Sequence, residues 1–296
     1  MSRRPSYLAL GAQHGAAAPA SGLYIVATPI GHLGDITLRA LEVLAGVDLI
    51  LAEDTRHSRR LLDHYGVTTH VSAYHEHNAE RARPALLARL AEGQSLALIS
   101  DAGTPLISDP GYKLVVEAKA IGAPVFPVPG ASALLAGLVA AGLPTDRFLF
   151  EGFLPAKSEA RRARLNALAA IEATLVFYEA PQRLGSSLSD MAAELGPRPA
   201  TVARELTKMH ESVRSGPLDE LARAFAEDEV KGEIVVVVGP PPERAAVGDE
   251  VVRAELAALL ATHTTKDAAS VIAARYGLPR RDVYARALEL ARGRAP

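Results

Sequence analysis

From Leu23 onward, short β-branched runs trade places with segments of helical period: Leu23–Thr28, Leu38–Ala45, Asp48–Glu53, Arg59–Tyr65, His70–Tyr74, Ala79–Ala91, Ser95–Ser100, Tyr112–Ile121, Pro124–Val128 and Ala131–Ala141. The strand-like runs are continuously apolar, as strands covered on both faces are, so the pattern predicts an α/β layer with helices over a mainly parallel sheet. Gly46, Gly66, Gly93 and Gly122 each follow a helical segment, where a left-handed cap belongs. The rhythm pauses around Gly152–Lys157, and a second α/β series follows: Glu159–Ile171, Thr174–Tyr178, Arg183–Leu195, Thr201–Glu205, Leu218–Ala226 and Glu233–Val238. This places one α/β domain over 23–154 and another over 155–239. Residues 240–249, opening Pro-Pro-Pro, predict a stiff linker. Over 250–296 three helical patterns follow, Glu250–Ala261, Asp267–Tyr276 and Arg281–Ala291, the last two joined by Gly277-Leu-Pro-Arg in the manner of a helix-turn-helix corner. Residues 1–22, rich in Ala, Gly and Pro, predict a disordered extension.

Composition narrows the class. With 296 residues, 49% hydrophobic and 22% charged, the chain is long enough for about two cores. The absence of Cys removes disulfide frameworks, thiolate nucleophiles and cysteine metal sites, and fits a reducing cytoplasm. The longest apolar stretch, Gly130–Leu143, is too short to cross a bilayer, and the first twenty residues lack an apolar signal core, so a soluble, unexported protein is expected. The net charge of −2 divides unevenly: residues 251–296 carry eight Arg or Lys against four Asp or Glu, leaving +4 on the tail and −6 on the body. A basic helical tail on an acidic body fits a polyanionic partner, although an ordinary solvated face also carries such a charge.

The chain has no GxxxxGK[S/T] phosphate loop, no GxGxxG after the first strand, no GxSxG elbow and no HExxH. Instead, three Gly/Pro-rich turns follow strands: Thr28–Asp35, Asp101–Gly111 and Pro127–Ala133. All belong at the carboxyl ends of parallel strands, the edge where open α/β sheets bind ligands. Their carbonyls, hydroxyls and carboxylates come without Lys or Arg, which suits a cationic or zwitterionic ligand better than a pyrophosphate. S-adenosylmethionine, with its sulfonium, ammonium, carboxylate and purine, meets that description; tight-turn punctuation is the plainer alternative for any one loop.

Eight segments extend the pattern: Val26–Gly31, Leu51–Arg56, Ser100–Gly111, Pro129–Ser132, Gly142–Pro155, Phe177–Pro181, Ala203–Lys208 and Lys231–Glu233. In this order and spacing they closely resemble the bacterial 16S rRNA (cytidine-2′-O)-methyltransferases, the RNA-modifying branch of the tetrapyrrole-methylase (class III S-adenosylmethionine methyltransferase) fold. The resemblance runs from about Leu23 to Val238, and the helical tail is similar to an accessory domain found in part of the family. It implies two α/β domains with S-adenosylmethionine in the cleft between them, a homodimer, and methylation of a ribose 2′-hydroxyl of a cytidine in the decoding region of 16S rRNA within the small ribosomal subunit. By position, Pro29, Ile30, Asp101, Gly103, Thr104, Ala131 and Ser132 would line the cofactor from the first domain, and Tyr178, Gly232 and Glu233 from the second. The amino-terminal extension departs from the commoner family form.

Methyl transfer from a sulfonium is an in-line displacement, so alignment alone supplies up to about 7–11 kcal/mol in favourable cases. A base or a cation near the developing alkoxide adds to this. Asp101 is expected to orient the cofactor, with Arg56, Glu179, Arg204 and Lys231 as the catalytic set that meets the target nucleotide. Structural alternatives stand beside these: Glu53–Arg56 as a helix start with a salt bridge, and Arg204-Glu205 as a pair at a strand end. The segment Tyr74-His-Glu-His77 offers two imidazoles without a third ligand, so no metal is expected; Asn78 is placed to cap the next helix. In the tail, Arg275, Arg280, Arg281, Arg286, Arg292 and Arg294 lie on or beside the helical corner, either against a nucleic-acid backbone or as solvated charge on a small bundle. Two other functions remain open: a tetrapyrrole (precorrin-type) C-methyltransferase and a non-catalytic ribosome- or RNA-binding protein.

Overall fold

The computed structural model describes residues 5–101, 103–108, 111–226, 230–242, 249–276 and 278–292. It divides into two compact units that part between Pro241 and Pro242. Most of the expected linker, the Gly277 cap, the Arg292 side chain and Arg294 lie outside the described residues.

The first structured element corrects the expectation for the amino terminus. β1 (Ser6–Ala9) and β2 (Ala12–Gly15) form an antiparallel hairpin, Ser6 opposite Gly15. Its turn, Leu10-Gly11, takes left-handed φ of 52° and 77° at both positions, as a two-residue hairpin requires. Composition hid a two-residue period: Tyr7 and Ala9 point into the core while Leu8 and Leu10 point outward. Tyr7 stacks on His14 at 5.3 Å, and the Leu8 amide donates to the Tyr65 carbonyl at 2.6 Å.

The first lobe follows as β3 (Gly22–Val26), α1 (Leu38–Gly46), β4 (Leu49–Ala52), α2 (Thr55–His64), β5 (Val71–Ala73), α3 (Glu76–Ala91), β6 (Ser95–Ile99), α4 (Tyr112–Ala120), β7 (Val125–Val128) and α5 (Ala133–Ala140). The sheet order is β5-β4-β6-β3-β7 with every pairing parallel. β4 and β6 are buried at every residue, so both faces are covered by helices. Helix starts are closed by side chains: Thr37 accepts from the Ala40 amide, and Asp54 from those of Arg56 and His57. At α3, Asn78 acts backward, its carbonyl oxygen accepting from the His75 amide at 2.9 Å. Because β6, β3 and β7 are neighbours, the turns that follow them open side by side at one sheet edge.

The second lobe comprises β8 (Phe148–Phe153), α6 (Ser158–Leu168), β9 (Thr174–Glu179), α7 (Leu184–Leu195), β10 (Pro199–Arg204), β11 (Ser212–Pro217), α8 (Leu218–Ala224) and β12 (Ile234–Val238), ordered β11-β10-β12-β9-β8. Two expectations change here. β8 belongs to this second sheet, so the lobes part before Phe148 and not at 154, and the sheet is mixed: β8 runs parallel to β9, but the other pairings are antiparallel. The lobes are joined through α5, whose Gly137 lies so close to Val235 that a Cβ there would come within 2.6 Å of Val235 Cγ1. Glycine at that position lets the helix of one lobe rest on the strand of the other.

The second unit holds α9 (Asp249–Leu259), α10 (Thr265–Tyr276) and α11 (Arg280–Arg292) around its own core of Val252, Leu256, Ala269, Ile272, Val283 and Ala287. Among the described residues no helix is long and apolar enough to cross a membrane.

Candidate active site

Hydrogen bonds hold the three turns together at the carboxyl edge of the first sheet. The Thr28 amide donates to the Gly103 carbonyl at 2.9 Å, and its hydroxyl to the Ser100 carbonyl at 2.8 Å; the Thr104 hydroxyl donates to the Ala131 carbonyl at 3.1 Å. Gly103 has φ +96°, and a Cβ there would stand 2.9 Å from Ile30 Cγ2 and 3.3 Å from the Ala131 carbonyl oxygen. Ser132 caps α5. The backbone here is drawn close on purpose, with glycine where a side chain would fill the space.

Two cavities adjoin at this edge. The first, about 320 Å³, lies between the lobes and is mainly apolar, walled by Ile30, Ile107, Phe153, Tyr178, Leu206 and Val235, with Gly232 and Glu233 at its margin. Tyr178 is steadied by edge-on contacts with Phe150 and Phe153, and its hydroxyl accepts from the Leu134 amide at 3.1 Å. The second, about 340 Å³, is bounded by Thr28, Pro29, Gly31 and Ser100 and carries His57, Arg60, Asp101 and Lys208. Ile30 and Glu233 border both cavities, so they form the wall between them.

The electrostatics of the two spaces differ. Burial pushes the Asp101 carboxyl above its ordinary value; the Asp54 amide, donating at 3.3 Å, and the charge of His57 oppose that rise. At the common wall Lys208 Nζ donates to Glu205 Oε1 at 2.9 Å and Glu233 Oε2 at 3.0 Å. Burial disfavours charge on Glu205, but the Lys208 ammonium and the Glu233 amide outweigh it and hold the carboxyl below its ordinary value. Lys208 likewise overcomes its own desolvation through the two carboxylates and is raised. Gly232, φ +92°, is required by this cluster: a Cβ would lie 2.3 Å from the Glu205 carboxyl carbon.

The expected cofactor residues gather here. Ile30, Tyr178, Gly232 and Glu233 border the apolar cavity, Pro29, Ile30, Asp101 and Glu233 border the charged one, and Gly103, Thr104, Ala131 and Ser132 build the turns beside them. The expected catalytic residues do not converge in the same way. Arg56 stands with its side chain 93% exposed, its nearest acidic partner Asp54 at 3.8 Å, outside both cavities. Glu179 backs the apolar cavity but is buried, engaged with Arg183 at 3.1 Å, the Ser187 hydroxyl and the Ala180 amide. Arg204 spends its guanidinium on the Ser212 hydroxyl and the carbonyls of His210 and Lys231, and Lys231 itself is exposed. His57, Arg60 and Lys208 were not singled out from sequence. The sequence signal for Lys208 is the ordered run Arg204-Glu-Leu-Thr-Lys208; the structure adds that Glu205 and Thr207 there take φ of +51° and +65°, an uncommon backbone for such residues.

Two α/β lobes with an apolar cleft between them and three tight turns at the carboxyl edge of the first define a two-lobe α/β protein built to hold a small ligand in its cleft. A family model of the Tetrapyrrole (Corrin/Porphyrin) Methylases matches residues 22–222, and one of the RsmI C-terminal HTH domain matches residues 245–291. The chain is 54% identical over 270 residues to the "Ribosomal RNA small subunit methyltransferase I" of Mesorhizobium japonicum, covering 90% of this chain and 92% of that protein. To the protein of the same name in Synechocystis it is 48% identical over 272 residues, covering 90% and 98%. A uroporphyrin-III C-methyltransferase from Thermus thermophilus, solved with S-adenosylhomocysteine, superposes with a TM-score of 0.52 at 22% identity, over 74% of this chain and 97% of that one, and shares the fold. This chain belongs to the tetrapyrrole methylase family, S-adenosylmethionine-dependent methyltransferases, on the branch of the ribosomal RNA small subunit methyltransferases I.

The apolar cavity fits that cofactor. The Phe153 and Tyr178 rings offer a flat apolar wall for a purine, and Glu233 suits an ammonium. Lys and Arg are absent from its described lining, as suits a cationic sulfonium.

Proposed function

We propose that this chain methylates a ribose 2′-hydroxyl of a cytidine in the decoding region of 16S rRNA, acting on the small ribosomal subunit in the cytoplasm as a homodimer. The observation that carries the reading is kinship along both lobes and the tail: 54% identity over 270 residues to a relative named for small-subunit rRNA methylation.

S-adenosylmethionine, when bound, supplies an activated methyl group on a sulfonium. The residues of the first cavity hold it, and Ile30 and Glu233 form the wall across which the acceptor hydroxyl must align. The second cavity takes the acceptor. Its volume suits one extruded nucleotide, and a base-paired stem does not enter such a space. His57 and Arg60 are placed for phosphate oxygens, while Asp101, its carboxyl raised by burial, accepts the hydroxyl proton. Arg56, one residue before His57, and Lys231, one before Gly232, meet RNA outside the cavities; Glu179 and Arg204 act by holding the strand ends in place.

In the tail, Arg275 pairs with Glu255 at 2.6 Å, Arg286 with Asp249 at 3.0 Å and Arg253 with Asp249 at 2.7 Å, which leaves Lys266 and, at the start of α11, Arg280 and Arg281 among the described cations for an RNA backbone. The homodimer reading rests on α5, where Leu135 and Val139, one turn apart, are 51% and 73% exposed.

The test is transfer of labelled methyl to small subunits purified from a strain lacking this protein, with naked rRNA and a tetrapyrrole run beside them. Label on the subunits supports the reading. Label on the tetrapyrrole moves the chain to the small-molecule activity, and cofactor binding without any transfer leaves an RNA-binding role.

A further inference from the structure

We propose that Lys208 is a catalytic residue: its ammonium contacts the acceptor 2′-oxygen at the wall between the two cavities and stabilises the negative charge that develops there. The inference rests on the reading that the second cavity receives the acceptor ribose.

A lysine ammonium has three N–H groups, and two are taken by Glu205 and Glu233 at 2.9 and 3.0 Å. Lys208 borders the charged cavity, and its partner Glu233 borders both, so the remaining N–H belongs beside the place where methyl donor and acceptor must meet.

The surroundings fix the ammonium there. Glu205 also accepts from the Glu233 amide at 2.9 Å, tying the two carboxylates into one frame. From the opposite lobe Gly31 lies against the stem of Lys208, so close that a Cβ would come within 2.4 Å of Lys208 Cγ. Beside it the His32 amide donates to the Thr207 hydroxyl at 3.1 Å. Left-handed backbone at the non-glycine residues Glu205 and Thr207 stores strain in this one stretch, a pattern that accompanies functional positions more than ordinary surface pairs.

Two carboxylates around one amine keep it protonated, so Lys208 donates a hydrogen bond and does not serve as the base. In the step, the ribose oxygen forms a bond to the methyl carbon as the carbon–sulfur bond of the donor breaks and its electron pair stays on sulfur. The hydroxyl proton passes to the Asp101 carboxylate, and the Lys208 N–H meets the oxygen while it carries negative charge. A prepositioned donor of this kind is worth roughly 10²–10³-fold in rate.

A purely structural strap between lobes would use the same contacts, and the test separates the two roles. Lys208→Met keeps the stem and removes the ammonium; Lys208→Arg keeps the charge. Methyl transfer to small subunits is measured in single turnover, and S-adenosylmethionine affinity by calorimetry. The expected result is a fall in rate of roughly 10²-fold or more for Lys208→Met with affinity within about threefold of wild type, and partial recovery in Lys208→Arg. Wild-type rates in Lys208→Met, or a rate loss matched by lost cofactor affinity, would overturn the catalytic role while leaving the rRNA reading intact. Failure of the wild-type protein itself to methylate any rRNA substrate would remove both.

Discussion

Substituting Gly232 by Ala attacks the wall between the cavities without removing a single functional group. Two costs follow. An L-residue held at φ +92° pays about 1–2 kcal/mol in backbone strain. The new Cβ would also stand 2.3–2.5 Å from three atoms of Glu205, whose carboxylate is bound by Lys208 and the Glu233 amide. Glu205 must therefore turn away and release both partners. Because the Lys208 and Glu205 side chains keep 28% and 20% of their exposure, that loss is taken as about 1 kcal/mol. The total of about 2–3 kcal/mol corresponds to a fall in Tm of roughly 4–12 °C for a unit of this size. Calorimetric melting of Gly232→Ala, Glu205→Ala and the double variant checks the reasoning. Since Glu205→Ala removes the obstruction, the double variant should be more stable than the summed single effects by about 1 kcal/mol. An unchanged Tm in Gly232→Ala, or strict additivity, would refute the geometry described for this wall.

Other consequences are equally open to measurement. Asp101→Asn should raise stability at neutral pH while lowering methyl transfer. A carboxyl whose folded pKa is raised favours the folded state below that value and penalises it as pH climbs through the interval between unfolded and folded pKa, so the uncharged amide escapes the penalty; denaturant midpoints at acid and neutral pH show this. Glu179→Ala leaves Arg183 without its carboxylate beside a buried site and should cost about 3 kcal/mol of stability by urea unfolding, with S-adenosylmethionine affinity falling only as far as the fold does. Tyr7→Ala, in the hairpin core, should cost about 3 kcal/mol and leave the rate per folded molecule unchanged, since the hairpin borders neither cavity. Arg280→Ala with Arg281→Ala should lower the log–log salt slope of subunit binding by about 1–2; an unchanged slope would place the tail's grip elsewhere.

Much of this fold is legible from periodicity because the first sheet obeys the simplest rule: parallel strands covered on both faces read as unbroken apolar runs, as in Leu49–Ala52 and Ser95–Ile99. The elements that escape the same reading break it for identifiable reasons. β8 passes through Gly152 at φ +74° with a register shift between Phe150 and Gly152, so its alternation is interrupted. β11 is an edge strand, Ser-Val-Arg-Ser-Gly-Pro, largely exposed and polar. The hairpin of residues 6–15 hides in Ala- and Gly-rich composition, and because outward Leu8 and Leu10 are as apolar as inward Tyr7 and Ala9, its sequence shows no polar–apolar alternation.

The site divides along a similar line. Turn chemistry brings the residues expected around the cofactor into view, because Gly103 and Gly232 have no freedom to be anything larger. Charge does not behave so simply. From sequence Arg56, Glu179 and Arg204 stand out as ionisable residues in motifs, yet a motif does not say whether a charge faces a cavity, solvent or its own strand end. Burial of Glu179 and the three backbone and hydroxyl partners of Arg204 settle their environment in space alone. Lys208 is the converse: an unremarkable lysine in sequence, given its place by two left-handed residues and by a glycine in the other lobe.

The measurement that bears most directly on the account is nucleoside mass spectrometry of 16S rRNA after incubating small subunits from a strain lacking this protein with S-adenosylmethionine and the purified chain. The account predicts one new 2′-O-methylcytidine, at a decoding-region position that also becomes resistant to alkaline cleavage because its 2′-hydroxyl is blocked. A methyl group on a base, or subunits left unmodified while a tetrapyrrole acquires the label, would contradict it.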